Sequence, residues 1–325
     1  MRVAVLVNPT SGRGRGVMLG PLIADALKAE GHEPRVAHVG RAAPIEPLHD
    51  ALHEADVAVI AGGDGTLHHA TPLIMRFGAA IYHFPLGTEN LFARRFGMRA
   101  DIPTLVRALA GAKRVRADVA TVTVHTALKG AELGVSGLGA SDGGGPVEGL
   151  RRHALLMMGI GPDGGIVRSI AMSRTGPITH ATYVRPSLAQ FFRPTLPTLS
   201  VTVDGVALLE KRRGWLIVAN CREYGGRLDP CPDASMHDGL LDVAFFPASN
   251  GVSATMWAAR ARTRTSRWAW PLLGASVVAT GKLVRVRSED TDPAWQIDGE
   301  HGEHLAGAMD ATVGVIPNAL DVLTP

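Results

Sequence analysis

Three short apolar runs, each closing on a loop of glycine and small polar residues, constrain this chain more than any other feature. Residues 3–7 run into Asn8-Pro9-Thr10-Ser11-Gly12, residues 57–60 into Gly62-Gly63-Asp64-Gly65-Thr66, and residues 81–84 into Pro85-Leu86-Gly87-Thr88. Leu19, Leu22, Ile23, Ala26 and Leu27 recur at helical spacing, which predicts a helix over 17–30 stopped by Gly31. A second strand is expected over 34–38 and a further helix over 47–55. Short strands alternating with helices, with glycine at the strand ends, predict a parallel α/β sheet. In such sheets ligands bind beyond the carboxyl ends of the strands, where these loops fall.

After Asp118 the texture changes. Strand-like runs at 119–124, 154–158, 199–203, 215–218, 241–245 and 283–286 are separated by turn residues. Only one or two helical segments are expected among them, such as 252–262. This half therefore reads as β-rich, with sandwich or barrel character. The glycine-dense segment 130–149 reads as a loop.

Composition narrows the class. With 325 residues the chain is long enough for two domains. A net charge of +3 and a pI of about 9.1 make the excess of base mild. It suits an anionic substrate or an acidic membrane surface, and no nucleic-acid partner is expected. Cys221 and Cys231 form neither a disulfide framework nor a metal-ligand spacing. The first apolar run is too short for a signal peptide, and no stretch reaches the roughly 20 apolar residues of a membrane span. A cytoplasmic chain is expected, with any membrane contact peripheral, at the inner face.

Among the motifs, Gly62 to Thr66 is the sharpest. Its glycines let backbone approach a polyphosphate, Thr66 adds a hydroxyl, and the following helix N-terminus favours an anion. Asp64 inside such a loop calls for a cation or a ribose hydroxyl as partner; a plain strand-to-helix turn is the alternative. Asn8 to Gly14 suits a second wall of the same site, but no Gly-Lys-Ser/Thr follows and it is no Walker loop. In Gly87-Thr88-Glu89-Asn90-Leu91-Phe92-Ala93-Arg94-Arg95, Thr88 and Asn90 are expected to face ligand, ahead of the two arginines. Gly159-Ile160-Gly161-Pro162-Asp163-Gly164 matches a dinucleotide fingerprint. No acidic residue follows until Asp204, so that reading fails. Asp238-Gly239 and Asp298-Gly299-Glu300 have the composition of hairpin turns. His68 and His69, adjacent on a helix, are expected to point different ways and to share no metal. Arg260, Arg262, Arg264, Arg267, Trp268 and Trp270 suit either a lipid interface or an ordinary surface helix.

The ordered set NPTSG, GGDGT, PLGTENLFAR, DGLLDV and IDGE resembles the diacylglycerol kinase catalytic family, which includes bacterial lipid kinases and sphingosine kinases. The resemblance extends through Ile316-Pro317-Asn318-Ala319-Leu320; GGDGT alone is shared with NAD kinases. It implies an NAD-kinase/diacylglycerol-kinase-like α/β nucleotide-binding domain over 1–122, joined by about 310–325 returning. A β-sandwich-like lipid-substrate domain would occupy 123–309, with the reaction in the cleft between them. ATP would be lined by Asn8, Pro9, Thr10, Ser11, Gly12, His38, Gly62, Gly63, Asp64, Gly65, Thr66, Thr88 and Asn90. Glu300 matches the family's proton acceptor, with Asp298 beside it, and a hydroxyl-directed kinase needs such a carboxylate. Asp238, with main-chain oxygens of Ser235 and Leu240, matches a magnesium position, and a second magnesium would travel with ATP. The partners implied are a lipid acceptor and a peripheral membrane surface, with a homodimer left open. The chain departs from the family at Leu67-His68-His69, Glu89, Leu91 and His38. Two other readings follow: a soluble-substrate kinase like the NAD kinases, and a catalytically silent nucleotide or lipid sensor on the same fold.

Overall fold

A computed structural model describes residues 1–12, 14–40, 45–129, 149–173, 179–266, 268 and 274–325. Arg13, Arg267, Trp270 and the glycine-dense segment up to residue 148 lie outside them. The chain forms two compact units, Met1–Ala117 with Asn318–Pro325, and Asp118–Pro317. Among the described residues no helix is long and apolar enough to cross a membrane.

The first unit runs β1 (Arg2–Val7), α1 (Gly16–Ala29), β2 (Glu33–His38), α2 (Ile45–Leu52), β3 (Val57–Gly62), α3 (Asp64–Phe77), β4 (Ala80–Pro85), α4 (Leu91–Arg95) and α5 (Ile102–Gly111). Strand β5 (Arg114–Val124) then carries the chain into the second unit. The sheet is parallel, in the order β2-β1-β3-β4, and Val322 near the chain's end pairs in parallel with Ile81 of β4. Every residue of β3 is buried, as are residues 3–7 of β1. Such continuous burial is what a parallel strand covered on both faces requires, and it explains why these runs do not alternate. Helix α3 ends on Gly78, whose φ of 70° accepts the left-handed cap without a Cβ clash.

The second unit continues with β6 (Leu150–Ala154), β7 (Met157–Ile160), α6 (Pro162–Ser173), α7 (His180–Phe192), β8 (Thr198–Val203), β9 (Val206–Ala219), β10 (Leu241–Pro247), α8 (Gly251–Arg262), β11 (Val277–Gly281), β12 (Leu283–Thr291), β13 (Trp295–Ile297), β14 (Glu300–His301) and β15 (Ala308–Leu323). The last strand runs on into the first unit at Asn318. Strands β8 and β12 and the first part of β15 form one antiparallel layer, joined by β5 with β6. Strands β7, β10, β11, β13 and β14 form another. Strand β9 belongs to both: residues 206–213 pair with β8, whereas 214–219 pair with β7 and β10. Gly214 marks the changeover, where a Cβ would sit 2.4 Å from the Phe246 carbonyl oxygen. Leu199, Val201, Val284, Val286 and Val313 from one layer meet Met158, Leu216, Val218, Phe245 and Trp295 from the other in one apolar core. The alternating burial of β8 and β12 is the signature of strands with one face inward.

Two expectations need correction. The run 154–158 is not one strand but the end of β6 and the start of β7, broken at Leu155-Leu156, whose N–H groups are taken by the Asp298 carboxylate. The second unit also holds three α-helices among its described residues, where one or two were expected. Helices α6 and α7 were hidden by Pro162, Gly164, Gly165 and Pro186. Gly164 is needed because a Cβ there would meet the Ala294 carbonyl oxygen at 2.5 Å.

Candidate functional site

In the first unit, β1, β3 and β4 end at the same edge of the parallel sheet, and side-chain hydrogen bonds tie their loops together. Asn8 Nδ2 donates to Thr66 Oγ1 at 2.9 Å, while Asn8 Oδ1 accepts from Thr10 N at 3.0 Å and Thr10 Oγ1 at 2.8 Å. Thr66 is buried, so its hydroxyl serves this brace between loops. The Gly62-Gly63 backbone lies against Gly87. Leu86 N donates to Gly62 O at 2.7 Å, and a Cβ on Gly87 would come within 2.7 Å of Gly63 Cα. Asn90, in the left-handed region at φ 49°, closes the third loop with Oδ1 accepting from Gly87 N and Nδ2 donating to Gly87 O, both at 2.8 Å.

Asp64 answers the question raised by its place in a glycine loop. Its carboxylate accepts from Leu91 N at 3.0 Å and Phe92 N at 3.2 Å, capping α4. The positive end of that helix is the counter-charge. Pro9, Ser11 and Gly12 are half-buried in the first loop, Gly65 opens α3, and Thr88 is exposed. His38 is exposed at the end of β2, beside Val7 of β1. Glu89 pairs with Arg94 at 3.6 Å, which draws that arginine toward a carboxylate of its own loop. Leu91, one of the positions where the sequence departs from the family it resembles, is buried.

Sequence reasoning missed His83, on β4 beneath the loops. It is fully buried and Nε2 lies 3.0 Å from Gly62 O. A carbonyl only accepts, so Nε2 carries the proton and Nδ1, buried without a partner, is bare. Burial holds this imidazole below the ordinary histidine range, against the pull of the Asp64 charge. His68 and His69 do not point apart as expected: their rings meet edge to face at 5.5 Å.

In the second unit, Asp298 and Gly299 are the central residues of the hairpin between β13 and β14, with φ of 52° and 83°. Two positive φ values are what a type I′ turn demands, and Asp-Gly supplies them. The expected pair of carboxylates is divided by this turn. Asp298 faces inward, accepting from Leu155 N at 2.8 Å, Leu156 N at 2.7 Å and Met157 N at 3.0 Å. Glu300, the first residue of β14, is half-exposed.

Behind the turn lies a buried network with little trace in the sequence. Gln296 Oε1 accepts from Gly299 N at 2.7 Å, and its Nε2 donates to Asp163 Oδ2 at 3.2 Å. Tyr224 OH donates to the same oxygen at 2.8 Å and Trp215 Nε1 to Asp163 Oδ1 at 3.0 Å. Burial pushes the Asp163 carboxyl above the usual carboxylate range, while these three donors pull it back. Burial and the neighbouring Asp163 push the Tyr224 phenol well up. The one available signal was Asp163 within GIGPDG, set aside with the dinucleotide reading. That segment does join a strand to a helix, but β7 pairs antiparallel with β9 and β13, unlike a βαβ unit.

The expected magnesium position is a loop of the second unit. Ser235 and Leu240 are half-buried and Asp238 is exposed, its Oδ1 accepting from Leu240 N at 3.0 Å. Asp118 holds the same loop, taking Gly239 N on Oδ2 at 2.7 Å and donating its own N–H to Met236 O at 2.7 Å. An exposed aspartate carboxylate is a hard-oxygen donor of the kind magnesium accepts with water completing its shell. No group of three or more His, Cys, Asp or Glu side chains that could hold a metal occurs among the described residues.

Comparison with known proteins agrees with this architecture. Residues 2–122 match the diacylglycerol kinase catalytic domain, and residues 158–324 match the YegS C-terminal NAD kinase beta sandwich-like domain. The chain is 27% identical over 338 residues to a diacylglycerol kinase of Mycobacterium tuberculosis (strain ATCC 25618 / H37Rv), covering 100% of this chain and 95% of that protein. A crystal structure described as a diacylglycerol kinase from Bacillus anthracis str. Sterne superposes with a TM-score of 0.65 at 15% identity, over 100% of this chain and 97% of that one. Yeast NADH kinase complexed with NADH gives a TM-score of 0.51 at 12% identity, over 100% and 84%. The fold is thus an α/β nucleotide-binding domain followed by a β-sandwich-like domain, and the chain belongs to the diacylglycerol kinase catalytic-domain family, a family of kinases.

Proposed function

We propose that this protein transfers the γ-phosphoryl group of ATP to a hydroxyl of a lipid. The observation that carries the reading is the mutual bracing of three strand-end loops through Asn8–Thr66, Asp64–Leu91/Phe92 and Gly63–Gly87. This makes one rigid, glycine-lined rim at the N-terminus of α3, where backbone can come close to phosphates.

In this mechanism Asn8, Pro9, Thr10, Ser11, Gly12, His38, Gly62, Gly63, Asp64, Gly65, Thr66, Thr88 and Asn90 make up the nucleotide rim. Asn8, Asp64, Thr66 and Asn90 act by holding the loops in register. Glu300 accepts the proton of the attacking hydroxyl, and Asp298 anchors the turn that carries it. The Asp238 carboxylate, with the carbonyl oxygens of Ser235 and Leu240, would hold one magnesium ion, and a second would accompany ATP. Magnesium supplies charge neutralisation at the phosphate oxygens.

The test is transfer of labelled γ-phosphate from ATP with magnesium to diacylglycerol, sphingoid, ceramide and phosphatidylglycerol acceptors, with NAD alongside. A labelled lipid is expected. Label on NAD alone would favour the soluble-substrate reading, which the likeness to yeast NADH kinase supports. Bound ATP with no labelled acceptor would favour a silent sensor.

A further inference from the structure

Helix α7 carries its large apolar side chains outward. Val184, Leu188 and Phe192 are 66%, 55% and 71% exposed, and Phe191 is exposed beside them. Their spacing of four, seven and eight residues from Val184 gathers them into one stripe. The helix is well built: Thr179 N donates to Thr182 Oγ1 at 3.0 Å at its start, and it packs on α6 and α8 with Pro186 turned inward. Helix α6 adds an exposed Met172. An ordered amphipathic helix with its apolar face outward needs a partner to cover it.

Charge indicates which partner. No acidic residue occurs between Asp163 and Asp204, while Arg185 and Arg193 are exposed on and just past α7. At 3.6 residues per turn Arg185 lies about 100° around the helix from Val184, on the rim beside Phe192. Arg168 belongs to a different arrangement, paired with Asp292 at 3.3 Å. A two-fold contact between copies would set these arginine rims against each other, at an electrostatic cost. An anionic bilayer reverses the sign: headgroups meet the arginines while the apolar stripe enters the acyl boundary.

We propose that the exposed face of α7 is the surface by which this protein docks onto anionic membranes. The inference deepens the lipid-kinase reading and rests on it for its purpose, but vesicle binding is measured without phosphoryl transfer. It puts the contact on α7 rather than at residues 260–270, which the sequence left open between a lipid interface and an ordinary surface helix.

The experiment sediments the whole protein with vesicles of phosphatidylcholine alone and of phosphatidylcholine with phosphatidylglycerol, at low and high salt. Binding to the mixed vesicles, weakened by salt, is expected. Leu188→Ser with Phe192→Ser should weaken it about ten-fold or more. Arg185→Glu with Arg193→Glu should remove the preference for anionic vesicles. Both pairs are surface changes, so their melting temperatures and their transfer to a detergent-dispersed acceptor should match the parent protein. Vesicle binding by a protein that labels no lipid would sustain the docking surface and sink the kinase reading. The docking proposal is overturned if the parent protein ignores anionic vesicles or if the variants bind like it. A parent dimer that the serine pair makes monomeric would also overturn it, assigning the face to a second copy.

Discussion

The two units carry their candidate groups in opposite ways. In the first, the rim is made of backbone, glycine and short polar side chains, and each loop directly follows a buried parallel strand. In the second, a single turn is suspended from groups far away in sequence: Asp298 from the backbone N–H groups of residues 155–157, and Gly299 through Gln296 from the Asp163 side chain. A rim of the first kind is shaped by local sterics, so adding one methyl group is enough to disturb it. A turn of the second kind depends besides on remote partners staying buried and paired.

The largest expected effect is on the half-exposed carboxylate that follows the turn. Glu300→Gln should lower turnover by about 10²–10⁴-fold while ATP binding, measured by calorimetry, stays as it was. Full activity in that variant would remove Glu300 from its role. Next comes the inward carboxylate: Asp298→Ala leaves three buried N–H groups without their acceptor and should cost about 3 kcal/mol of stability in denaturant unfolding. Little change there would mean that the turn does not hang on this anchor. On the rim, Gly87→Ala forces a Cβ to within 2.7 Å of Gly63 Cα and 2.9 Å of Asn90 Oδ1. Overpacking of this sort costs about 1–3 kcal/mol, read here as weaker ATP binding with the second unit's stability untouched.

The smallest effect is a pH dependence in the first unit. The folded His83 sits below its unfolded value, so the unfolded chain takes up the proton first as pH falls. Stability should therefore be full above the unfolded histidine value of about 6.5 and decline as pH drops below it. Thermal unfolding across that range should show the decline in the parent protein and a flatter profile in His83→Gln. An unchanged profile would locate the sensitivity elsewhere.

The same contrast explains what could be read from the chain alone. Parallel strands buried on both faces are continuous apolar runs, so β1, β3 and β4 and the loops after them were visible at nearly their observed bounds. The β-rich half was visible as a class because β8 and β12 alternate. Helices α6 and α7 were missed because glycines and prolines obscure them, and the glycines are there for tertiary reasons. Asp64 was read as calling for a cation or a ribose hydroxyl, with a plain turn as the alternative; the partners the structure gives it are backbone N–H groups 27 and 28 residues away on α4. Gln296 has no local signature, since the group it ties the turn to is Asp163, 133 residues earlier.

The return of residues Asn318–Pro325 to the first unit has a consequence for biosynthesis. Val322 pairs with Ile81, and Thr324 N donates to Lys113 O at 3.0 Å. On the ribosome these partners are separated by the entire second unit, so the flank of β4 has to wait, bare, while that unit is made. A bare strand edge is a template for mispairing. The second unit must therefore be made, and the last strand brought back into the first, before the nascent nucleotide domain can close its sheet.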